Sequence, residues 1–197
     1  MPTILHCVPW IIDYQTVLER MLGMKLVCGV MASGAFAFPP GSSPRTVVWA
    51  TPQAALLPKP EGATTILFAD EADLAERAVD VWQTQLQGPA WVLPVSHWAY
   101  ELDYGSREWL PPLLERLDLD PGLLAGRPNA AALEFSRHET ERLRLLTDRL
   151  LQMLMGSEFL LAFPAQPVLC TVTHEKQLRW TSTDLALMQH LAQQHVR

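Results

Sequence analysis

Between Ala63 and Val95 the chain runs through an apolar stretch, a capped amphipathic stretch and a second apolar stretch without a break, and this segment most restricts the fold. Thr64-Thr65-Ile66-Leu67-Phe68-Ala69 is uncharged and rich in β-branched residues, the pattern of a strand buried on both faces. Asp70 suits a helix N-cap, and Glu71, Asp73 and Glu76 complement the positive end of a helix dipole. Leu74, Ala78, Val81, Trp82 and Leu86 share one helical face, and Gly88-Pro89 stops the helix. Ala90-Trp91-Val92-Leu93-Pro94-Val95 then resumes the extended pattern, with Pro94 restricted to a strand end, an edge or a bulge. If these strands are neighbours, the crossover makes them parallel and right-handed, and their carboxyl ends share one rim.

Asp13 is placed to cap a helix carrying Tyr14, Val17, Leu18, Met21 and Leu22, preceded by a short strand over 3–8 and followed by one over 25–32. Prolines punctuate 33–62 around a single strand at 46–50, the make-up of a proline-pinned surface loop or a flap. Ser136 and Glu139 form an S-x-x-E capping box ahead of Leu143, Leu146, Leu150 and Leu154. Strands are expected at 159–163 and 168–173, the latter turning at His174-Glu175-Lys176 into 177–181 as a hairpin. Thr183 or Asp184 caps a last helix through Leu185, Met188 and Leu191.

These elements predict an α/β or α+β single domain over 1–197: a mixed sheet of about six strands with a right-handed β-α-β unit at 63–95 and a C-terminal β-hairpin, under about four or five helices. The Pro- and Gly-rich run at 118–129 is read as an internal loop, the nearest approach to a boundary.

A net charge of −6, with lysine only at Lys25, Lys59 and Lys176, argues against a surface that tracks phosphates, so no nucleic-acid partner is expected. Arg137, Arg142, Arg144 and Arg149 are interleaved with Glu139, Glu141 and Asp148 and read as a self-neutralising, solvated helix face. Cys7, Cys28 and Cys170 stand apart in apolar surroundings, as reduced buried thiols of a cytoplasmic protein do. No apolar run approaches the roughly 20 residues of a membrane span, and no export signal opens the chain.

The shared rim of the two strands brings Asp70, Glu71, Ser96 and His97 together, with Glu101 and Asp103 close behind. Strict alternation over 96–104 puts Trp98, Tyr100, Leu102 and Tyr104 on one strand face; a helical reading puts His97 and Glu101 on one face instead. His97, Glu101, Asp103 and Asp70 are therefore the candidate catalytic residues, and Trp98 and Tyr100 the candidate ligand-binding residues. No zinc, calcium, phosphate-loop or nucleophile-elbow motif occurs, and neither a metal nor a cofactor is expected. His138 with Glu141 offers two metal ligands but recruits no third. Seven tryptophans raise the alternatives of a partner patch or core filling for Trp98, Trp109 and Trp180. The leading expectation is a soluble binding or interaction protein, its partner a protein or a small molecule and homo-oligomerisation left open. The alternative is a small hydrolase with His97 as acid or base, Glu101 or Asp103 orienting it, and Asp70 polarising substrate or water.

Overall fold

The computed structural model describes residues 9–24, 29–30, 36–37, 46–47, 64–69, 73–94, 97–127, 130–154, 157–173 and 175–194. The expected strand at 3–8, most of 25–62, and Asp70, Glu71 and Ser96 lie outside these residues.

The fold is α+β. One sheet of seven strands has the order β1 (Trp10–Asp13), β7 (Ala130–Phe135), β6 (Ala90–Pro94), β8 (Phe159–Phe163), β9 (Val168–Thr173), β10 (Gln177–Ser182), β5 (Thr64–Ala69). Every pairing in it is antiparallel. Three two-residue strands, β2 (Gly29–Val30), β3 (Phe36–Ala37) and β4 (Thr46–Val47), form a second small sheet. Seven α-helices and one π-helical turn accompany the sheets among the described residues.

The expected parallel pair is corrected by this order. Alternating directions along the sheet make β5 and β6 point the same way, yet β8, β9 and β10 stand between them. At an interstrand spacing of about 4.8 Å, their carboxyl ends are about 19 Å apart along a common rim. The adjacency on which the shared rim pocket depended is therefore absent.

Helix α2 (Leu74–Gln85) bridges this gap, burying Leu74, Ala78, Val81 and Trp82 against the sheet. It starts after Asp73, whose φ of 68° is left-handed and whose side chain makes no cap bond, rather than at the expected Asp70 cap. Together with α6 (Thr140–Met153), α4 (Leu110–Arg116), α5 (Pro121–Ala125) and α7 (Leu185–Gln194), it covers one sheet face in a core that includes Trp82, Trp98, Phe135, Phe159 and Trp180. On the other face α1 (Tyr14–Gly23) sets Val17 and Met21 over Trp91, Leu93, Leu160 and Leu169.

Several local expectations hold. Asp13 caps α1, its Oδ1 accepting from the Thr16 N–H at 3.0 Å and its Oδ2 from the Thr16 hydroxyl at 2.8 Å. The C-terminal hairpin forms over Thr173↔Gln177 with Lys176 at a left-handed φ of 59°. Pro111 and Pro112, which the sequence allows only near the start of a short helix through Trp109, Leu110, Leu113, Leu114 and Leu117, sit in the first turn of α4, where no intrahelical N–H is needed.

Two expectations fail, and one strand has no counterpart in the sequence reading. Ala130–Phe135, unrecognised in the sequence, is an interior strand: helix-favouring Ala and Leu are overridden by burial between β1 and β6. The 118–129 loop contains α5, capped by Asp120 accepting from Gly122 N–H at 2.8 Å, with Leu124 in the main core. The capping box forms only by half: Glu139 Oε2 accepts the Ser136 N–H at 2.8 Å, and α6 begins at Thr140.

The arginine face also divides. Arg144 pairs with Glu141 at 2.5 Å on the surface as expected, whereas Arg137 reaches across to α2. Its guanidinium donates to the carbonyls of Trp82 (3.1 Å), Leu86 (2.6 Å) and Gln83 and lies 5.9 Å over the Trp82 ring. It thus satisfies the open carbonyl end of α2. Arg142 ties α6 to the turn after α4 through Asp118 (2.5 Å) and the Leu117 carbonyl (3.1 Å).

Candidate functional site

Strand β6 ends at Pro94 opposite Phe159, the first residue of β8, so the chain leaves the sheet there and the residues preceding β8 arrive beside it. Past this exit the backbone is helical. Trp98–Tyr100 forms one α-turn, α3, and Glu101–Gly105 a π-turn closed by an i+5 bond from Ser106 N–H to the Glu101 carbonyl at 2.7 Å. The strand reading of 96–104 is therefore overturned, because helical spacing sorts these side chains differently.

The inward set is Trp98, Glu101 and Leu102. Trp98 is 2% exposed, donates its indole N–H to the Ala131 carbonyl at 3.1 Å, and packs 5.9 Å from Phe159. It anchors the turn in the core and is closed to ligands. Glu101 is 1% exposed and accepts from the Ser106 hydroxyl at 3.0 Å. Beside it is the Ser157 hydroxyl, buried without a hydrogen-bond partner. Gly105 faces both: a Cβ built on it would stand 2.5 Å from Glu101 Oε2 and 2.7 Å from Ser157 Oγ.

The outward set is His97, Tyr100 and Tyr104. His97 Nδ1 accepts the Tyr100 backbone N–H at 3.0 Å, making the imidazole the N-cap of α3. The Tyr100 ring stands edge-on to His97 at 6.1 Å and tilts over Tyr104 at 5.8 Å. Tyr100 is 44% exposed and Tyr104 74%. Asp103, between them in sequence, is exposed as well.

The structure thus brings His97, Glu101 and Asp103 onto one turn but not into one constellation. The His97 ring caps the helix outside while the Glu101 carboxylate is held by Ser106 inside, so the acid–base pair of the hydrolase reading is not assembled. Asp70 lies outside the described residues, and the strand leading to it ends about 19 Å along the rim. The sequence alone suggests Ser106 as a helix cap, Ser157 as a residue outside any nucleophile motif and Tyr104 as a member of a strand face; only the i, i+4 spacing of Tyr100 and Tyr104 hinted at the outward pair.

Of the candidate patch tryptophans, Trp98 and Trp180 are buried and Trp109 half-buried, while Trp10 is 73% exposed on the edge strand β1. Core filling accounts for the first two. Among the described residues no three His, Cys, Asp or Glu side chains gather to hold a metal. Cys170 is fully buried, and burial raises its thiol well above the ordinary range, the opposite of an activated nucleophile.

A cleft of about 380 Å³ opens at the other end of the sheet, between the C-terminus of α1 (Glu19, Arg20, Met24) and the β8–β9 turn (Pro164, Gln166, Pro167). It contains none of the candidate residues. Among the described residues no helix is long and apolar enough to cross a membrane. No protein-family description, no curated protein and no solved structure matches this chain.

Proposed function

We propose that this is a soluble, cytoplasmic binding protein without a catalytic centre, whose docking surface is the aromatic row His97–Tyr100–Tyr104 and whose partner is a basic peptide segment. The observation that carries this reading is the pair of exposed tyrosine rings tilted over one another on a turn anchored by Trp98. Neighbouring rings held on one anchored turn offer large contact area with little side-chain freedom left to lose, a property of binding surfaces. Tyrosine faces attract guanidinium and ammonium groups, exposed Asp103 adds a negative charge beside them, and the net charge of −6 draws cations from a distance.

The experiment is titration of the protein with a fluorescent Arg/Gly peptide and an Asp/Gly peptide of equal length. The basic peptide should bind, with affinity falling as salt rises, and Tyr104→Ala or Tyr100→Ala should weaken it about three- to thirtyfold, the range of one cation–π contact. Equal binding of the two peptides, or full affinity in the Tyr100→Ala/Tyr104→Ala double variant, would overturn the reading.

The hydrolase alternative draws no support from the separate engagements of His97 and Glu101. Its own test is a screen of ester and phosphoester substrates. Turnover abolished by His97→Ala with folding intact would displace the binding proposal.

A further inference from the structure

The cleft between the end of α1 and the β8–β9 turn has a volume of about 380 Å³. That is the size of a small-molecule site, near the lower end of the usual range of about 300–1,000 Å³. One wall, the β8–β9 turn, is firmly held. Pro164 and Pro167 restrict its backbone, and the Gln166 N–H donates to the Phe163 carbonyl at 3.0 Å. Its Ala165 packs so closely on Gly88 that a Cβ on the glycine would stand 2.8 Å away. The Ser182 hydroxyl donates to the Pro167 carbonyl at 2.7 Å and accepts the Asp184 N–H at 2.9 Å, which holds Thr183 beside the turn. The opposite wall is the last part of α1 with Glu19, Arg20 and Gly23, followed by Met24. A Cβ on Gly23 would meet nothing within 4 Å, an independent sign of open space at this wall.

The polar groups of the cleft have bonding capacity left. Among the described residues no ion pair or side-chain hydrogen bond engages Arg20 or the Thr183 hydroxyl. Gln166 Oε1 accepts the Gln87 N–H at 2.7 Å, which orients the carboxamide and leaves its NH₂ as a donor. Glu19 uses one carboxylate oxygen to accept from Gln15 Nε2 at 2.9 Å. The cleft therefore combines a cation and two neutral donors with an anion, Glu19, at the negative end of the α1 dipole. Met24 and the two proline rings supply apolar surface.

We propose that this cleft binds a free aliphatic α-amino acid. Its carboxylate lies on Arg20, Gln166 and Thr183, its ammonium on Glu19 and the end of α1, and its side chain on Met24, Pro164 and Pro167. The charges select a zwitterion. A simple anion is opposed by Glu19, by the helix end and by the net charge of −6, and a simple cation is opposed by Arg20. Either end of a peptide chain carries only one of the two groups. The fixed turn offers a preformed surface, so little ordering is lost on binding.

The test is titration of the isotope-labelled full chain with L-leucine, N-acetyl-L-leucine and L-leucinamide, followed by amide NMR. Leucine should move the signals of Gly23, Met24, Ala165 and Gln166 and saturate between about 10 µM and 10 mM, a range open to a ligand of about nine non-hydrogen atoms. The acetylated and amidated forms each lack one charge and should bind at least about tenfold more weakly. Arg20→Gln should weaken leucine binding at least about tenfold with the rest of the spectrum unchanged, because this exposed side chain holds no other group. Gly23→Leu fills the open space and should abolish the shifts. No saturable shift up to about 10 mM, equal binding of N-acetyl-L-leucine or L-leucinamide, or full affinity in Arg20→Gln would overturn the proposal. Tyr100→Ala/Tyr104→Ala should bind leucine as wild type does, so this inference and the peptide-binding reading fail separately.

Discussion

Gly105→Ala places a methyl group where the structure has no room for one. Its Cβ would stand 2.5 Å from Glu101 Oε2, 2.7 Å from Ser157 Oγ and 3.1 Å from Glu101 Cδ, all inside contact distance. Glu101 is 1% exposed, so its carboxylate cannot swing into water, and any retreat stretches the 3.0 Å bond from Ser106. Overpacking costs about 1–3 kcal/mol, and loss of a charged hydrogen bond about 1.5–3 kcal/mol. Replacing glycine by alanine in helical backbone returns about 0.5–1 kcal/mol. The net destabilisation expected is about 3 kcal/mol, or about 6–12 °C in Tm for a domain of this size.

The assay is urea denaturation and calorimetry of Gly105→Ala beside Gly23→Ala, where a Cβ meets nothing within 4 Å and the change should be neutral or slightly stabilising. Adding Ser157→Ala to Gly105→Ala removes one of the two obstructing oxygens and should recover part of the loss, which a double-mutant cycle reads as coupling. A Gly105→Ala protein as stable as Gly23→Ala, or additive behaviour with Ser157→Ala, would refute the crowding of Glu101 and Ser157 around Gly105.

Thr147 and Thr173 are buried with hydroxyls that find no hydrogen-bond partner, so Thr147→Val and Thr173→Val should each raise stability by about 1 kcal/mol in urea denaturation. Arg137→Ala leaves the carbonyls of Trp82, Gln83 and the C-cap Leu86 without this donor and should cost about 2–3 kcal/mol, only partly recovered in Arg137→Lys, with hydrogen exchange at the end of α2 accelerated. The Thr16 backbone N–H, and after it the Thr16 hydroxyl, hold the Asp13 carboxyl below its ordinary 3.8. Because the folded value is the lower one, the cap's contribution is complete above about pH 3.8 and is lost as pH falls through the lowered value. Asp13→Ala should therefore cost about 0.5–1 kcal/mol at pH 7, and its stability should converge on that of wild type in acid. Cys170 should resist iodoacetamide in the native protein and react on unfolding, as peptide mapping by mass spectrometry would show.

Local chemistry was readable wherever one side chain and its own helix or turn settle the outcome. Asp13 capping Thr16, the prolines opening α4 and the turn at Lys176 are of this kind, and so are the apolar stripes of α1, α2 and α6. Features set by distant partners were not. Ala130–Phe135 has helix-forming residues and becomes a strand only because β1 and β6 flank it. Arg137 reads as one of a charged row until α2 ends beneath it. At the candidate site, the alternation of Trp98, Tyr100, Leu102 and Tyr104 imitates a strand. The helical option that joined His97 to Glu101 had the backbone right, but not the opposite destinations of the two side chains.

The strand–helix–strand segment remains the strongest constraint on the fold, though for a different reason from adjacency. With β8, β9 and β10 between its two strands, α2 has to cross the sheet rather than cover a neighbouring pair, and its contacts accordingly reach both α6 and β10. The strand at its start can only be completed late, since Ala69 pairs with Gln177, roughly a hundred positions further on, and loops of that length close slowly. Until then Thr64–Ala69 is an uncharged strand without its partner β10. The same crossover that sets the architecture therefore puts β5 at the end of the sheet order, four strands from β6 and the turn after it that carries Tyr100 and Tyr104.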